Sequence, residues 1–561
     1  MQPCSRFEQS AILRTMDSLN NRRPRVAIVG AGMGGLASAI RLAASGAAVT
    51  VFERAEGPGG KARAARLSVG RQPGGVTVSE SGVSIDTGPT VLTLPDVFES
   101  LFEASGARLS DHVTLHRADV LARHLWPDGT RLDLFSDTIR TRAAIEDVFG
   151  DREAAGFDRF AAHAARVLSI VDAPFMRGQR PTVLGTVRDM GLRALPDLMR
   201  IDGLRSLYAA LGDFFQTPHL RQLFGRYATY VGSSPLRAPA TLAVIAGVEL
   251  AGVYHVEGGI GRLVDALFDR AVALGVEFRF DTPVAGIVAE GKRVTGLRLA
   301  HGAVHTADAV VVNADAGAVA DGLFGPEAAR AVDVNGERSL SAVTFTGLVA
   351  QTRPDALPLS HHTVIFAPDA VREHTAIFGR AGTPADATLY LCAQDRPATA
   401  HASPARTPER LLALVNAAAL SDDADPADAP PETPWTRNTA LQAFTDRLSA
   451  LGYAPTGQSP GIIRTPEDWA ALAPGSAGAL YGRASHGWRQ AFLRPSARTR
   501  LAGLYLAGGT VHPGAGLPMA ALSGCRAAEA LWADLPSISR SSPADTHGGT
   551  STWSRTTVST S

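Results

Sequence analysis

The chain has 561 residues, with 54 Lys and Arg against 54 Asp and Glu, so its formal net charge is zero. That balance removes any electrostatic argument for a nucleic-acid partner. Three scattered cysteines (Cys4, Cys392, Cys525) with no CxxC pair exclude a disulfide framework and a thiolate zinc site, and fit a reducing cytosol.

The length predicts two or three domains. Residues 1–22 lack the apolar run of a signal peptide and are expected to be a disordered tail. Val26–Val29 then reads as a buried parallel strand. It runs into Gly30-Ala-Gly32-Met-Gly34-Gly35 and a helix over about Gly34–Ser45, ended by Gly46. A second strand closes on Glu53. This is a βαβ dinucleotide site. Gly30 permits the tight turn, Gly32 lets the backbone approach a pyrophosphate, and Gly35 lets the helix pack on the strand. The helix start offers N–H groups to the phosphates, and Glu53 accepts from ribose hydroxyls. The glycines and the acid fit NAD and FAD equally. Gly59-Gly60-Lys61, soon after the acid, leans toward FAD, with Lys61 or Arg54 adding positive charge near the phosphates.

Asp96 to Tyr254 reads as mostly helical, for example over Phe157–Val171 and Leu204–Phe215. Ala238–Val256 is apolar, but Pro239, Glu249 and His255 interrupt it, so it is read as a cavity wall or as a surface that dips into a bilayer. An amphipathic helix over Gly261–Leu274 precedes strands at Val276–Phe280, Val284–Ala289, Val294–Leu299 and Ala309–Val312. His361-His362 is an adjacent pair whose rings alternate across a strand, and with no third ligand at metal spacing no metal is expected. Ala424–Pro434 is a Pro/Asp-rich loop. Near the end, strand Gly503–Ala507 enters Gly508-Gly-Thr-Val-His-Pro-Gly-Ala-Gly-Leu-Pro-Met519 and a helix over about Ala520–Leu531. Two strand–glycine–helix units therefore bracket the chain, which implies a discontinuous dinucleotide domain. No GxSxG or HExxH supports a hydrolase.

Together with the N-terminal glycines, four segments resemble the phytoene desaturase-type carotenoid desaturases. They are Ile85-Asp-Thr-Gly-Pro-Thr-Val91, Thr186-Val-Arg-Asp-Met-Gly-Leu-Arg193, Val256-Glu-Gly-Gly-Ile260 and Leu504–Pro518. Phe224–Pro235 and the Gly509–Gly524 stretch lean toward the 1-hydroxycarotenoid 3,4-desaturase (methoxyneurosporene dehydrogenase) branch. Thr510 stands where wider amine oxidases often carry an acid.

The resemblance implies an α/β fold with a discontinuous Rossmann-type FAD-binding domain, amine oxidase/phytoene desaturase-like, and an inserted α+β substrate domain. The expected FAD domain is 23–95, 256–330 and 500–535. The expected substrate and membrane-facing domain is 96–255 and 331–499, and 536–561 is expected to be a disordered tail. Expected cofactor contacts are Gly30, Gly32, Gly34, Gly35, Glu53, Arg54, Gly60, Lys61, Pro89, Thr90, Val284 (adenine, through its backbone), Gly508, Gly509, Pro518 and Met519. Pro518 fits a first helical turn, and the Met519 N–H is placed to donate toward the flavin C2 carbonyl.

The implied reaction is removal of two hydrogens across C3–C4 of an acyclic 1-hydroxy or 1-methoxy carotenoid, with hydride passing to FAD. Asp189 is the expected proton acceptor, with Arg188 and Arg193 stabilising charge. His512 is expected to shape its loop. Oxygen or a quinone is the expected electron acceptor, and the protein is expected in the cytoplasm, peripherally bound to the cytoplasmic membrane. The rivals are a phytoene desaturase, an amine oxidase and a non-catalytic lipid binder with the same fold.

Overall fold

In the computed structural model the described residues are 23–67, 82–179, 201–396, 408–421, 434–456 and 461–540. Strand β1 (Arg25–Val29) leads into helix α1 (Met33–Ala44) and strand β2 (Ala48–Phe52). Much later in the chain come helix α2 (Ile260–Ala273) and strands β3 (Glu277–Arg279) and β4 (Ala309–Val312), and last β5 (Leu504–Leu506) and helix α3 (Leu517–Arg540). The five strands form one parallel sheet in the order β5-β4-β1-β2-β3. β1 is central, so both of its faces are covered: Val26 and Ile28 face the α1/α2/α3 side, and Ala27 and Val29 face the other core. This explains four consecutive apolar residues without alternation. A three-stranded antiparallel meander (Val284–Glu290, Arg293–Leu299, Val304–Thr306) fills the link from β3 to β4.

The second layer is one large sheet. Its strands run Tyr453–Pro455, Ser341–Gln351, Glu409–Ala417, Leu389–Ala393, His362–Ile365, Val120–Leu125, Arg131–Phe135, with Ile462–Arg464 on the side of Ser341–Gln351. Helices Asp151–Val171, Pro218–Gly225 and Ala243–Ala251 cover one face through a Phe-rich core (Phe157, Phe160, Phe215, Phe224).

Three expectations need correction. The stretch from Asp96 to Tyr254 is not mostly helical at its start: Leu115–Arg117 pairs with Tyr254–Val256, and Val120–Leu125 with Arg131–Phe135. The hairpin turns on Pro127-Asp128-Gly129, with Gly129 at φ 88°, a sequence that nucleates turns strongly. The dinucleotide core also continues past residue 95, because Val97, Phe98, Leu101 and Phe102 of helix Asp96–Glu103 pack into it. Finally, α3 runs on to Arg540, five residues into the span read as a disordered tail. Its apolar stripe through Leu531, Trp532 and Leu535 keeps it on the core.

Candidate active site

The N-terminal glycine turn and the C-terminal one meet. Gly30 sits at φ +94°, a region closed to most side chains, and its N–H donates to Phe52 O at 2.7 Å. A Cβ on Gly35 would stand 2.0 Å from Gly30 O, so α1 can start only with glycine there. A Cβ on Gly34 would meet the Asn313 side chain at 2.7 Å and Gly508 N at 2.8 Å. Gly32 leaves room against Asn313 Nδ2, which a Cβ would approach at 2.9 Å. Gly59 and Gly60 back onto this turn: Gly59 N–H donates to Ala31 O at 2.9 Å, and a Cβ on Gly60 would touch Gly32 Cα at 3.4 Å.

The far half is clamped on by α3. A Cβ on Gly524 would collide with Gly34 O at 2.1 Å. The Ser38 hydroxyl reaches both Gly34 O at 2.8 Å and Gly524 O at 3.0 Å. Gly508, at φ +111°, donates its N–H to Ser523 Oγ at 3.2 Å. Leu517, Pro518 and Met519 form the first turn of α3, with Pro518 where its missing N–H costs nothing. Gly509 lies beside Ala515, and Gly509 O accepts from the Arg494 guanidinium at 3.3 Å. The cradle is a set of bare backbone edges ending two helix N-termini, which fits a dinucleotide diphosphate.

The other expected contacts fall around it. Glu53 is buried, and its carboxylate accepts from Ala31 N–H at 2.8 Å and Ala55 N–H at 3.0 Å. These bonds hold it beside the glycine turn. Val284 opens the meander next to Glu53, where Thr282 N–H donates to Glu53 O at 2.9 Å. Lys61 Nζ donates to Leu480 O at 2.7 Å, and the exposed Arg54 donates to Ala471 O. Both cations tie the cradle to the 471–480 segment. Burial lowers the Lys61 ammonium, and the nearby Asp315 opposes this. Thr510 Oγ1 accepts from Ala316 N–H at 2.9 Å, so the residue standing where an acid is common holds the first turn of the helix Ala316–Ala320 after β4 instead. His512 is buried, donates its backbone N–H to Pro495 O at 2.9 Å, and precedes a cis peptide bond to Pro513.

The Ile85–Val91 loop joins two motifs. Asp86 accepts from the N–H groups of Ile260 (2.6 Å) and Gly261 (2.9 Å), capping α2 just after the Gly258-Gly259 turn. A Cβ on Gly88 would meet Lys61 O at 1.9 Å, which presses Pro89 and Thr90 against the cradle. Thr90 Oγ1 then bonds Tyr390 Oη at 2.6 Å, and Tyr390 Oη bonds His362 Nδ1 at 2.7 Å.

Beyond this chain lies a cavity lined by Val91, Leu121, Ala122, Arg226, Tyr230, Glu249, Val253, His362 and Tyr390. Glu249 is 5% exposed, and its Oε2 has no hydrogen-bond partner. Burial pushes its carboxyl up to about 7, against the pull of Arg226 and of the Tyr230 and Tyr227 hydroxyls. Arg226 lies over the rings of Tyr230 at 5.2 Å and Tyr390 at 5.3 Å. The Ala238–Val256 stretch is thus a cavity wall, since Ala243, Ala246 and Gly247 of its helix are buried and it packs on Asp151–Val171. Glu249 and Tyr390 went unrecognised as site groups. The available signal was a single carboxylate inside the apolar helix Ala243–Ala251. Arg188, Asp189 and Arg193 lie outside the described residues.

Residues 33–532 match the model of the flavin containing amine oxidoreductases. The chain belongs to that family. It is an FAD-dependent oxidoreductase. The chain is 42% identical over 539 residues to a hydroxyneurosporene desaturase of Rubrivivax gelatinosus, covering 96% of this chain and 98% of that one. It is 39% identical to a hydroxyneurosporene desaturase of Rhodobacter capsulatus, covering 92% and 99%. A lycopene-forming phytoene desaturase of Pseudescherichia vulneris is 30% identical, covering 91% and 99%. Among solved structures, a putrescine oxidase with bound putrescine superposes with a TM-score of 0.56 at 15% identity, covering 92% of this chain and 99% of that one. Cyclohexylamine oxidase of Brevibacterium oxydans gives 0.53 at 15%, covering 92% and 100%. These two share the fold.

Proposed function

We propose that this protein is a carotenoid desaturase that introduces the C3–C4 double bond into an acyclic 1-hydroxy or 1-methoxy carotenoid. The observation that carries this reading is identity of 39–42% with hydroxyneurosporene desaturases over nearly the whole chain, against 30% with a phytoene desaturase. The intact two-part cradle argues against a lipid binder without flavin.

When bound, FAD supplies the hydride-accepting chemistry that no side chain can supply. Gly30, Gly32, Gly34, Gly35, Glu53, Gly60, Gly508 and Gly509 would hold it, with the Met519 N–H, in the helix turn begun at Pro518, donating toward its ring system. Thr90 ties the Ile85–Val91 loop, with its neighbour Pro89, to Tyr390. The second hydrogen leaves the adjacent carbon as a proton. Among the described residues, the Oε2 of Glu249 is the group best suited to take it: buried, open to the cavity, and poised at about 7. Asp189, flanked by Arg188 and Arg193, is the competing acceptor. Arg226 would steady the carboxylate once it is charged.

Among the described residues no helix is long and apolar enough to cross a membrane. A bilayer-soluble substrate therefore calls for peripheral docking at the cytoplasmic membrane, with oxygen or a quinone taking the electrons. The test is product analysis of purified FAD-loaded protein given 1-hydroxyneurosporene and phytoene separately. Desaturation of the hydroxylated carotenoid is expected, and conversion of phytoene alone overturns the reading.

A further inference from the structure

His361 and His362 do not point to opposite faces. The strand begins at His362, so His361 lies outside its alternation and its ring is free to fold inward. The third member comes from far away in the chain: His255, in the middle of the strand Tyr254–Val256. The rings of His255 and His361 stack with centroids 3.7 Å apart, and His362 stands 4.6 Å from His361 and 5.5 Å from His255. One ring nitrogen from each of the three lies within 4.8 Å of the others.

A neutral imidazole carries one lone-pair nitrogen. For His361 the tautomer is set: Nδ1 lies 3.0 Å from Arg396 O, and a carbonyl only accepts, so the lone pair is on Nε2. His362 Nδ1 is held by Tyr390 Oη at 2.7 Å, leaving Nε2 for another partner. The Nε2 atoms of His362 and His255 are buried and have no hydrogen-bond partner. Leaving such atoms bare is costly. A metal-binding histidine typically gives its other ring N–H to a carbonyl or similar acceptor, which is the arrangement at His361.

We propose that His255, His361 and His362 form a zinc site with an open fourth position, at the seam between the Tyr254–Val256 strand and the large sheet. Three imidazoles suit zinc, and tetrahedral bonds of about 2.0–2.1 Å place ligand nitrogens roughly 3.3 Å apart. The ring nitrogens, within 4.8 Å of one another, would have to draw together to reach that spacing. The set was missed in the sequence because its third ligand is more than a hundred residues away and belongs to a different sheet. His362 reaches the Ile85–Val91 loop through Tyr390 and Thr90, and Tyr254, next to His255, donates its N–H to Leu92 O at 2.8 Å.

The test uses the untagged, FAD-loaded full chain, stripped with a chelator and dialysed against zinc, with metal measured by plasma emission. Wild type is expected to retain one zinc per chain. His255→Phe and His361→Phe, which keep an aromatic ring but offer no ligand, are expected to lose it, with flavin content and circular dichroism unchanged. Cobalt in place of zinc is expected to give the visible bands of a tetrahedral nitrogen site in wild type alone. Wild-type protein that retains no more zinc than His255→Phe overturns the proposal.

Discussion

The flavin cradle and the polar cavity solve opposite problems. In the cradle, function is carried by what is missing. Gly32, Gly34, Gly35, Gly508 and Gly524 clear space so that backbone meets backbone and, by inference, cofactor. The cavity is lined instead by side chains that an apolar wall would normally exclude, among them Glu249, Arg226, Tyr230, Tyr390 and His362, and the proposed proton transfer rests on them. The first kind of site tolerates no added atom. The second tolerates substitution sterically but depends on charge and protonation.

The largest effect should come from filling the cradle. Gly524→Leu forces α3 away from α1 at the 2.1 Å contact with Gly34 O, and Gly32→Val blocks pyrophosphate approach. Both should abolish flavin binding, read as loss of the flavin absorption band after gel filtration. Normal flavin content in Gly32→Val would mean that the diphosphate lies elsewhere.

Glu249→Gln should spare flavin content and lower kcat by about 10²–10⁴-fold. In wild type kcat/KM should rise with pH through about 7 as Glu249 ionises, and this limb should vanish in the variant. If Asp189→Asn removes the limb and Glu249→Gln keeps it, the proton goes to Asp189.

The same group affects stability. Its carboxyl is raised from 4.5 to about 7 in the fold, so the folded state binds more protons between those values. Stability contributed by this group therefore falls as pH rises across that window, by on the order of 3 kcal/mol. The difference in denaturant midpoint between wild type and Glu249→Gln should follow that fall, and a difference independent of pH would show the carboxyl to be ordinary.

The smallest effect belongs to Asp86→Ala. It removes the acceptor for the Ile260 and Gly261 N–H groups and should cost about 1–2 kcal/mol, seen as a lower Tm with flavin retained.

The same contrast explains what could be read from the chain. β1, the glycine turn, Glu53 and β4 were legible because each is a local pattern: an apolar run, glycines at fixed spacing, an acid at a strand end. Strand Ala309–Val312 was found to the residue. The hairpin at Pro127–Gly129 was missed although its turn residues were visible, because the helical pattern around it dominated the reading. The cavity could not be read locally. Arg226, Glu249, His362 and Tyr390 come from four elements, and only the sheet pairing of His362–Ile365 with Leu389–Ala393 brings the last two together. Asn313, packed between both glycine turns, could not be picked out locally either, because its partners Gly30 and Gly508 lie 283 residues before it and almost 200 after it.

The Ser38 hydroxyl, shared between Gly34 O and Gly524 O, spans 486 residues of chain. A ribosome adding roughly 5–20 residues per second takes about half a minute to a minute and a half to cover that distance. Throughout that interval a nascent chain displays the first glycine turn without the second. On the proposed reading the cofactor has no complete seat until Gly524 has been made, so flavin loading waits on a residue 486 positions beyond Ser38.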